Sequence, residues 1–262
     1  MKLNLENKKF LTSRTKKEKY ILPENSEKED YVRTNFNEIA TNYDLFNDAA
    51  TFGQHRLWKN KTVRALSLPK ERPSHVIDLC CGSGDLTLRL SQTLPSGSEI
   101  TAIDFSPDML LVLKRRLKNE HQKGVTVHIK EGNISRMEFL KENSLDGAVI
   151  GFGLRNVLNR EECLREIYRI LKPGAALAIL DVGRVNSPFI SLFHRLYFEK
   201  VVPILGNIIH GKKHEMYEYL PASARVYPGQ KELKLELEKL GFKQVQYQNF
   251  MFGATSLHTA WK

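Results

Sequence analysis

An apolar strand that ends abruptly in a glycine turn, HVIDLCCGSGD over His75 to Asp85, followed at Asp104 by an acid closing the next strand, leaves this chain few folds to adopt. His75 to Leu79 reads as a buried strand with Asp78 at its mouth. Gly82 and Gly84 permit close backbone approach, and Asp85 opens an amphipathic helix. Asp104 lies twenty residues after Gly84, at the tip of the strand Glu99 to Phe105, where a carboxylate can accept both hydroxyls of a ribose. That spacing fits NAD and S-adenosylmethionine alike. A dinucleotide site asks for a third glycine where this chain has Thr87, so that helix and strand can close around a pyrophosphate. S-adenosylmethionine carries no such group, and it is the expected cofactor.

The rest of the chain alternates in the same sense. Strand Glu99 to Asp104 leads to a helix from Pro107 to Glu120, strand Val125 to Lys130 to a turn at Gly132 and Asn133, and strand Leu145 to Gly151 to a helix from Arg160 to Leu171. Pro173 and Gly174 end that helix before a strand from Ala176 to Asp181. Alternation of this kind predicts an α/β, doubly wound parallel sheet with helices on both faces. The end of the chain, Phe242 to Phe250 and Thr255 to Trp261, reads as a hairpin that adds an antiparallel edge. Two further segments stand outside the alternation: a helical lid over residues 31–68, and a helical, aromatic-rich insertion over 187–214. Residues 1–30 are expected to form a basic, flexible extension, and 31–262 a single domain.

The net charge of +10 raises nucleic acid as a partner, but half of it lies in residues 1–22, where seven Lys and Arg face two Glu. A solvated or weakly membrane-attracted tail explains that better than a binding groove, and no nucleic-acid partner is expected. Three cysteines, Cys80, Cys81 and Cys163, form neither a disulfide framework nor a zinc set, so a cytoplasmic location without a metal is expected. Phe189 to Ile209 is too interrupted by charge to span a bilayer, yet it can touch one at the inner face.

Three further stretches complete a pattern: Tyr43 to Trp58 (YDLFNDAATFGQHRLW), Gly151 to Val157 (GFGLRNV) and Lys172 to Gly174 (KPG), with HTAWK closing the chain at His258 to Lys262. Together with the glycine turn they resemble the UbiE/MenG quinone C-methyltransferases over residues 31 to 262. The resemblance implies a Rossmann-like sheet of about seven strands, S-adenosylmethionine as methyl donor and a prenylated quinol as acceptor. It places Ser83 in the cofactor turn, Asp104 on the ribose, Asn133 and Ile134 near the adenine, and Gly151 after the fourth strand. The CCG of the turn leans the acceptor toward demethylmenaquinol, with the ubiquinone precursor as the alternative. A homodimer is compatible with it.

Open parallel sheets bind ligands beyond the carboxyl ends of their strands, where strand order reverses. Arg155 and Asn156, just after the fourth strand, are thereby placed near the transferred methyl. A reduced ring is the expected acceptor, because loss of a phenolic proton pushes electron density onto the neighbouring carbon. Ionising a phenol of pKa near 10 at pH 7 costs about 4 kcal/mol, of which a buried cation can supply much. Arg155 suits the developing phenolate, with Asn156 as second donor. Candidate bases lie in the lid: Tyr43 acting with a water, then His55, with Asp44 and Asp48 beside them. Each also has a structural reading, as lid packing or a helix cap. An RNA or DNA methyltransferase is the rival. Against it, GFGLRN supplies neither a proline-aromatic motif nor a cysteine nucleophile.

Overall fold

The computed structural model describes residues 22–23, 25–120 and 123–262. Most of the basic extension lies outside these residues; the first helix, α1 (Asn25–Ile39), already begins within its last part. Two more lid helices follow, α2 (Tyr43–Thr51) and α3 (His55–Ala65). The sheet domain then runs β1 (His75–Leu79), α4 (Asp85–Thr93), β2 (Glu99–Asp104), α5 (Pro107–Asn119), β3 (Thr126–Glu131), β4 (Leu145–Gly151), α6 (Arg160–Ile170) and β5 (Leu171–Val182). The insertion contributes α7 (Pro188–Leu196), a π turn (Tyr197–Val201) and α8 (Val202–His210). After it come α9 (Met216–Val226), α10 (Gln230–Lys239), β6 (Lys243–Phe250) and β7 (Thr255–Trp261).

The seven strands form one sheet in the order β3-β2-β1-β4-β5-β7-β6. β1 to β5 are mutually parallel, and β7 runs antiparallel between β5 and β6. Strand order reverses between β1 and β4, so a crevice opens beyond their carboxyl ends. Apolar side chains alternate to both faces of the central strands. Ile77, Leu79 and Ile150 enter one core with α6 and α10, while Val76, Val149 and Leu180 enter another with α3 and α4. α6 starts where Asn159 accepts the amide of Glu162, and α5 where Ser106 accepts that of Met109, caps worth about 1 kcal/mol each.

β5 begins at Leu171, earlier than the periodicity indicates. Lys172 to Gly174 does not only stop α6: the Gly174 amide donates to the Lys262 carbonyl and the Lys262 amide to Ala175, extending the strand. α9 is absent from the sequence reading because Pro221 sits inside it and Tyr217 and Tyr219 break no simple pattern, yet both tyrosines are fully buried. They belong to a third core that ties lid to insertion: Val32, Phe36, Ile39 and Phe46 pack with Val202, Met216 and Tyr217. The rings of Phe46 and Tyr217 lie 4.7 Å apart, a contact worth about 1 kcal/mol beyond its area. Among the described residues no helix is long and apolar enough to cross a membrane.

Candidate active site

The turn between β1 and α4 is tied to β2 through Asp104. One carboxylate oxygen accepts the Gly82 amide at 2.8 Å and the other the Ser106 amide at 2.9 Å, so the acid that ends β2 fixes the turn in front of it. Gly84 has φ +90°, and a Cβ there would run into the Leu113 side chain, which explains the glycine twice over. Cys80 adopts φ +55° without being glycine, a strained conformation costing about 1 kcal/mol that turns the chain sharply out of the strand. Burial pushes its thiol well up, which disfavours the thiolate.

Above the turn runs a groove in two continuous halves. Gly132, Asn133 and Ile134 line one end, and Gly82, Gly151 and Phe152 the other; Cys80, Asp104, Phe105, Gly153 and Asn156 line both. Glu29 of α1 reaches over the first end and accepts from Asn133 Nδ2 at 3.2 Å. The second end meets a larger cavity of about 410 Å³, whose lining is almost wholly apolar. Phe36, Tyr43 and Phe152 border both spaces. Arg155 and His55 border the larger one, together with Phe193, Tyr197 and Phe198 of the insertion.

The sequence-predicted residues thus gather, with three exceptions. Asp78 is fully buried in β1 rather than at a mouth, where Thr87 Oγ1 donates to it at 2.6 Å; burial raises its pKa to about 7. The threonine that replaces a third glycine therefore has a use in the interior. Ser83 also stands outside the groove lining, its hydroxyl donating to Asp44 of the lid at 2.6 Å, and Gly84 lies behind the turn. Burial pushes Asp104 up to about 6 against the pull of its amide donors, so the carboxylate is mostly ionised at neutral pH but gains its proton in mild acid.

Polar contacts latch the lid to the turn. Arg116 of α5 donates to Asp44 at 2.9 Å and to Asp85 at 2.8 Å, and Lys59 of α3 donates to Asp85 at 2.6 Å. Burial opposes ionisation of Asp85, but Lys59 and Arg116 hold it well below the usual carboxylate range. His55 is wedged between two acids, with Nε2 at 2.8 Å from Asp48 and Nδ1 at 3.8 Å from Asp85. Burial, aided by Lys59, nevertheless lowers its pKa, so at neutral pH it is uncharged and able to take a proton. Tyr43 has the opposite character. Burial raises its phenol, partly offset by Arg155, and it remains a hydrogen-bond donor rather than a proton acceptor.

Arg155 is buried, as expected, and already paired. Its Nη1 donates to Asp181 at 2.7 Å and to the Phe152 carbonyl at 2.6 Å. Asn156 is fixed by Tyr219, whose hydroxyl donates to it at 3.1 Å. Sequence reasoning did not single out Asp181, Lys59 or Arg116. Asp181 carried a signal all the same: it is an acid at the carboxyl end of a buried strand, next to the crevice.

Known proteins agree with this architecture. A Thermotoga maritima SAM-dependent methyltransferase superposes with a TM-score of 0.58 at 18% identity, covering 88% of this chain and 99% of that one, which establishes the shared fold. A demethylmenaquinone methyltransferase of Leptospira interrogans is 46% identical over 93% of this chain and 97% of its own length. A protein of the same description from Lactiplantibacillus plantarum is 36% identical over 85% and 92%. A model of the ubiE/COQ5 methyltransferase family matches residues 24–262. With that model reaching from the first helix to the last residue, and relatives aligned over nearly their whole lengths, the chain belongs to the ubiE/COQ5 methyltransferase family.

Proposed function

We propose that this chain transfers a methyl group from S-adenosylmethionine to a ring carbon of a prenylated quinol, converting demethylmenaquinol to menaquinol at the last step of menaquinone biosynthesis. The names of its relatives support that substrate. The observation that carries the reading is the junction at Tyr43 and Phe152, where the groove beside Asp104 opens into a largely apolar cavity large enough for a two-ring quinol.

The groove fits the donor. Asp104 has lone pairs left over after its two amide bonds with which to accept ribose hydroxyls. Asn133 and Ile134 line the adenine end, and Gly82 and Gly151 the methionine end. A Cβ at Gly153 would collide with Cys80, so the narrow floor depends on that glycine. When bound, S-adenosylmethionine supplies a methyl carbon made electrophilic by the positive sulfur beside it.

The acceptor side is the work of four residues. His55 takes the phenolic proton, and Asp48 and Asp85 on either side stabilise the imidazolium that forms. Tyr43 and Arg155 border the cavity and face the developing oxyanion, and Asn156, on the groove that opens into it, donates from its amide nitrogen. Apolar walls exclude water, which strengthens these interactions and aligns the ring. The isoprenoid tail leaves along the insertion, where Phe189, Phe193, Ile204 and Ile208 are exposed beside Arg195 and Lys200. That rim is suited to peripheral contact with an anionic membrane face.

Purified protein incubated with S-adenosylmethionine and chemically reduced demethylated naphthoquinol should yield a ring-methylated product by mass spectrometry. Methylation absent under reducing conditions would overturn the assignment. A higher kcat/KM for the benzoquinol precursor of ubiquinone would redirect it.

A further inference from the structure

Arg155 is the one Arg or Lys among the described residues bordering the acceptor cavity, and its charge does not act alone. Asp181, near the end of β5, is 2% exposed. Its Oδ1 accepts Arg155 Nη1 at 2.7 Å and the Val182 amide at 2.8 Å, while Oδ2 accepts the Arg155 backbone amide at 3.2 Å. The two residues follow different strands, β4 and β5, and only the packed sheet brings them together. β5 pairs through its backbone, and the residues before Asp181, Ala178, Ile179 and Leu180, are apolar and buried. A carboxylate buried so deeply is costly unless it is paired, and of the three donors on Asp181 only the guanidinium carries a charge.

The pairing is one-pronged. Only Nη1 of the guanidinium reaches Asp181, and Nε is buried without a partner. Arg155 is therefore fixed in place and partly neutralised, while the residue still borders the cavity. An uncompensated guanidinium against the acceptor oxygen would ionise the phenol readily but leave it a poor nucleophile; a fully neutralised one would leave it un-ionised. Building on the methyl transfer proposed above, we propose that Asp181 is a positioning residue that sets how much of the Arg155 charge reaches the ionising phenol of the acceptor.

Other groups around the pair are accounted for. Tyr43 from α2 and Tyr219 from α9 face Arg155, while Tyr227, His258 of β7 and Cys80 of the turn feel Asp181. Burial raises Tyr43, Tyr227 and Cys80 and lowers His258, so these four are uncharged near neutral pH. His55 shares the cavity and titrates on its own account, so the test must read the acceptor oxygen directly.

The probe is a nitronaphthol that competes with the quinol and whose anion absorbs at longer wavelength. In Asp181→Asn, its bound pKa should fall by about one unit or more relative to the unaltered protein, as an opposite charge left uncompensated requires. Turnover at saturating acceptor should fall about tenfold, with S-adenosylmethionine affinity by calorimetry held within about twofold. Asp181→Glu should restore part of both. An unchanged or raised probe pKa in Asp181→Asn, or unchanged turnover, overturns the proposal. Should Asp181→Asn not fold, the charge-balanced Arg155→Gln/Asp181→Asn protein serves instead: its bound probe pKa should rise above that of the unaltered protein, and equality overturns the proposal. Failure of the unaltered protein to methylate quinol would refute the substrate reading, whereas the probe result judges Asp181 independently.

Discussion

Around the glycine turn the polar groups are tied down: Asp104 holds two backbone amides, and Asp85 holds Lys59 and Arg116. Across the cavity, α7 buries none of its side chains, and Phe189 stands 72% exposed. On the reading proposed above, the floor would seat a ligand whose shape never varies, so hydrogen bonds of fixed geometry are worth their cost in ordering. The roof, on the same reading, would meet an oily chain recognised by extent rather than by pattern, for which apolar surface suffices and rigidity is no advantage. One site thus combines a preorganised half with a yielding half. The latch from Asp44 and Lys59 to the turn is where the two are joined.

Substitutions should separate the halves. The largest loss is expected for His55→Gln, which removes the proton acceptor: turnover should fall about a hundredfold or more, with S-adenosylmethionine affinity unchanged. Near-normal turnover in rapid-quench assays would move proton transfer elsewhere. On the floor, Asp104→Ala should weaken S-adenosylmethionine by about 10- to 100-fold whichever acceptor is present, the range for losing hydrogen bonds to a charged group. Calorimetry would show it. Because Asp104 is raised to about 6, donor affinity in the intact protein should decline as pH drops below that value. Stability of the free protein should run the other way. The folded state binds this proton more tightly than the unfolded one, so the Asp104 contribution favours folding below about pH 4 and is lost as pH rises through 6.

On the roof, Phe193→Asp should cut kcat/KM for long-tailed quinols about tenfold more than for tailless analogues, since it places a charge on the apolar wall. Equal losses would show that the insertion does not carry the tail. The smallest change is expected at the seam. Asp44→Ala releases Ser83 and one arm of Arg116, but the residue is 39% exposed at its side chain, so donor KM should rise only a few-fold and Tm fall by a few degrees. A large effect on acceptor and donor together would mean that the halves move as one body.

The division between floor and roof is also the division in what the sequence disclosed. β1, β2 and β4 run over the residues that their apolar runs mark, because a buried parallel strand bounded by glycine and acid is a local signal. Asp104 was legible because an acid closes β2 twenty residues after the glycine turn, whereas Asn133 and Gly151 were reached through the resemblance to the family. Asp181 and Arg155 are 26 residues apart and meet only through the pairing of β4 with β5, so neither spacing nor composition points to the bond. The same is true of Arg116, on the exposed side of a helix by periodicity, which reaches three separate elements in the folded chain. Tyr43 and His55 differ in what surrounds them, and burial acts on a phenol and an imidazole in opposite directions.

The tie between Asp104 and the Gly82 amide has one further consequence for a donor seated as proposed. Every contact that this seat offers falls on the sugar, the base or the amino-acid end, parts that come through the reaction unaltered. The spent nucleoside should therefore grip almost as firmly as the fresh one and compete with it in each cycle. Turnover in the cell would then follow the ratio of fresh to spent molecules, with the latch at Asp44 as the natural place for exchange to be governed.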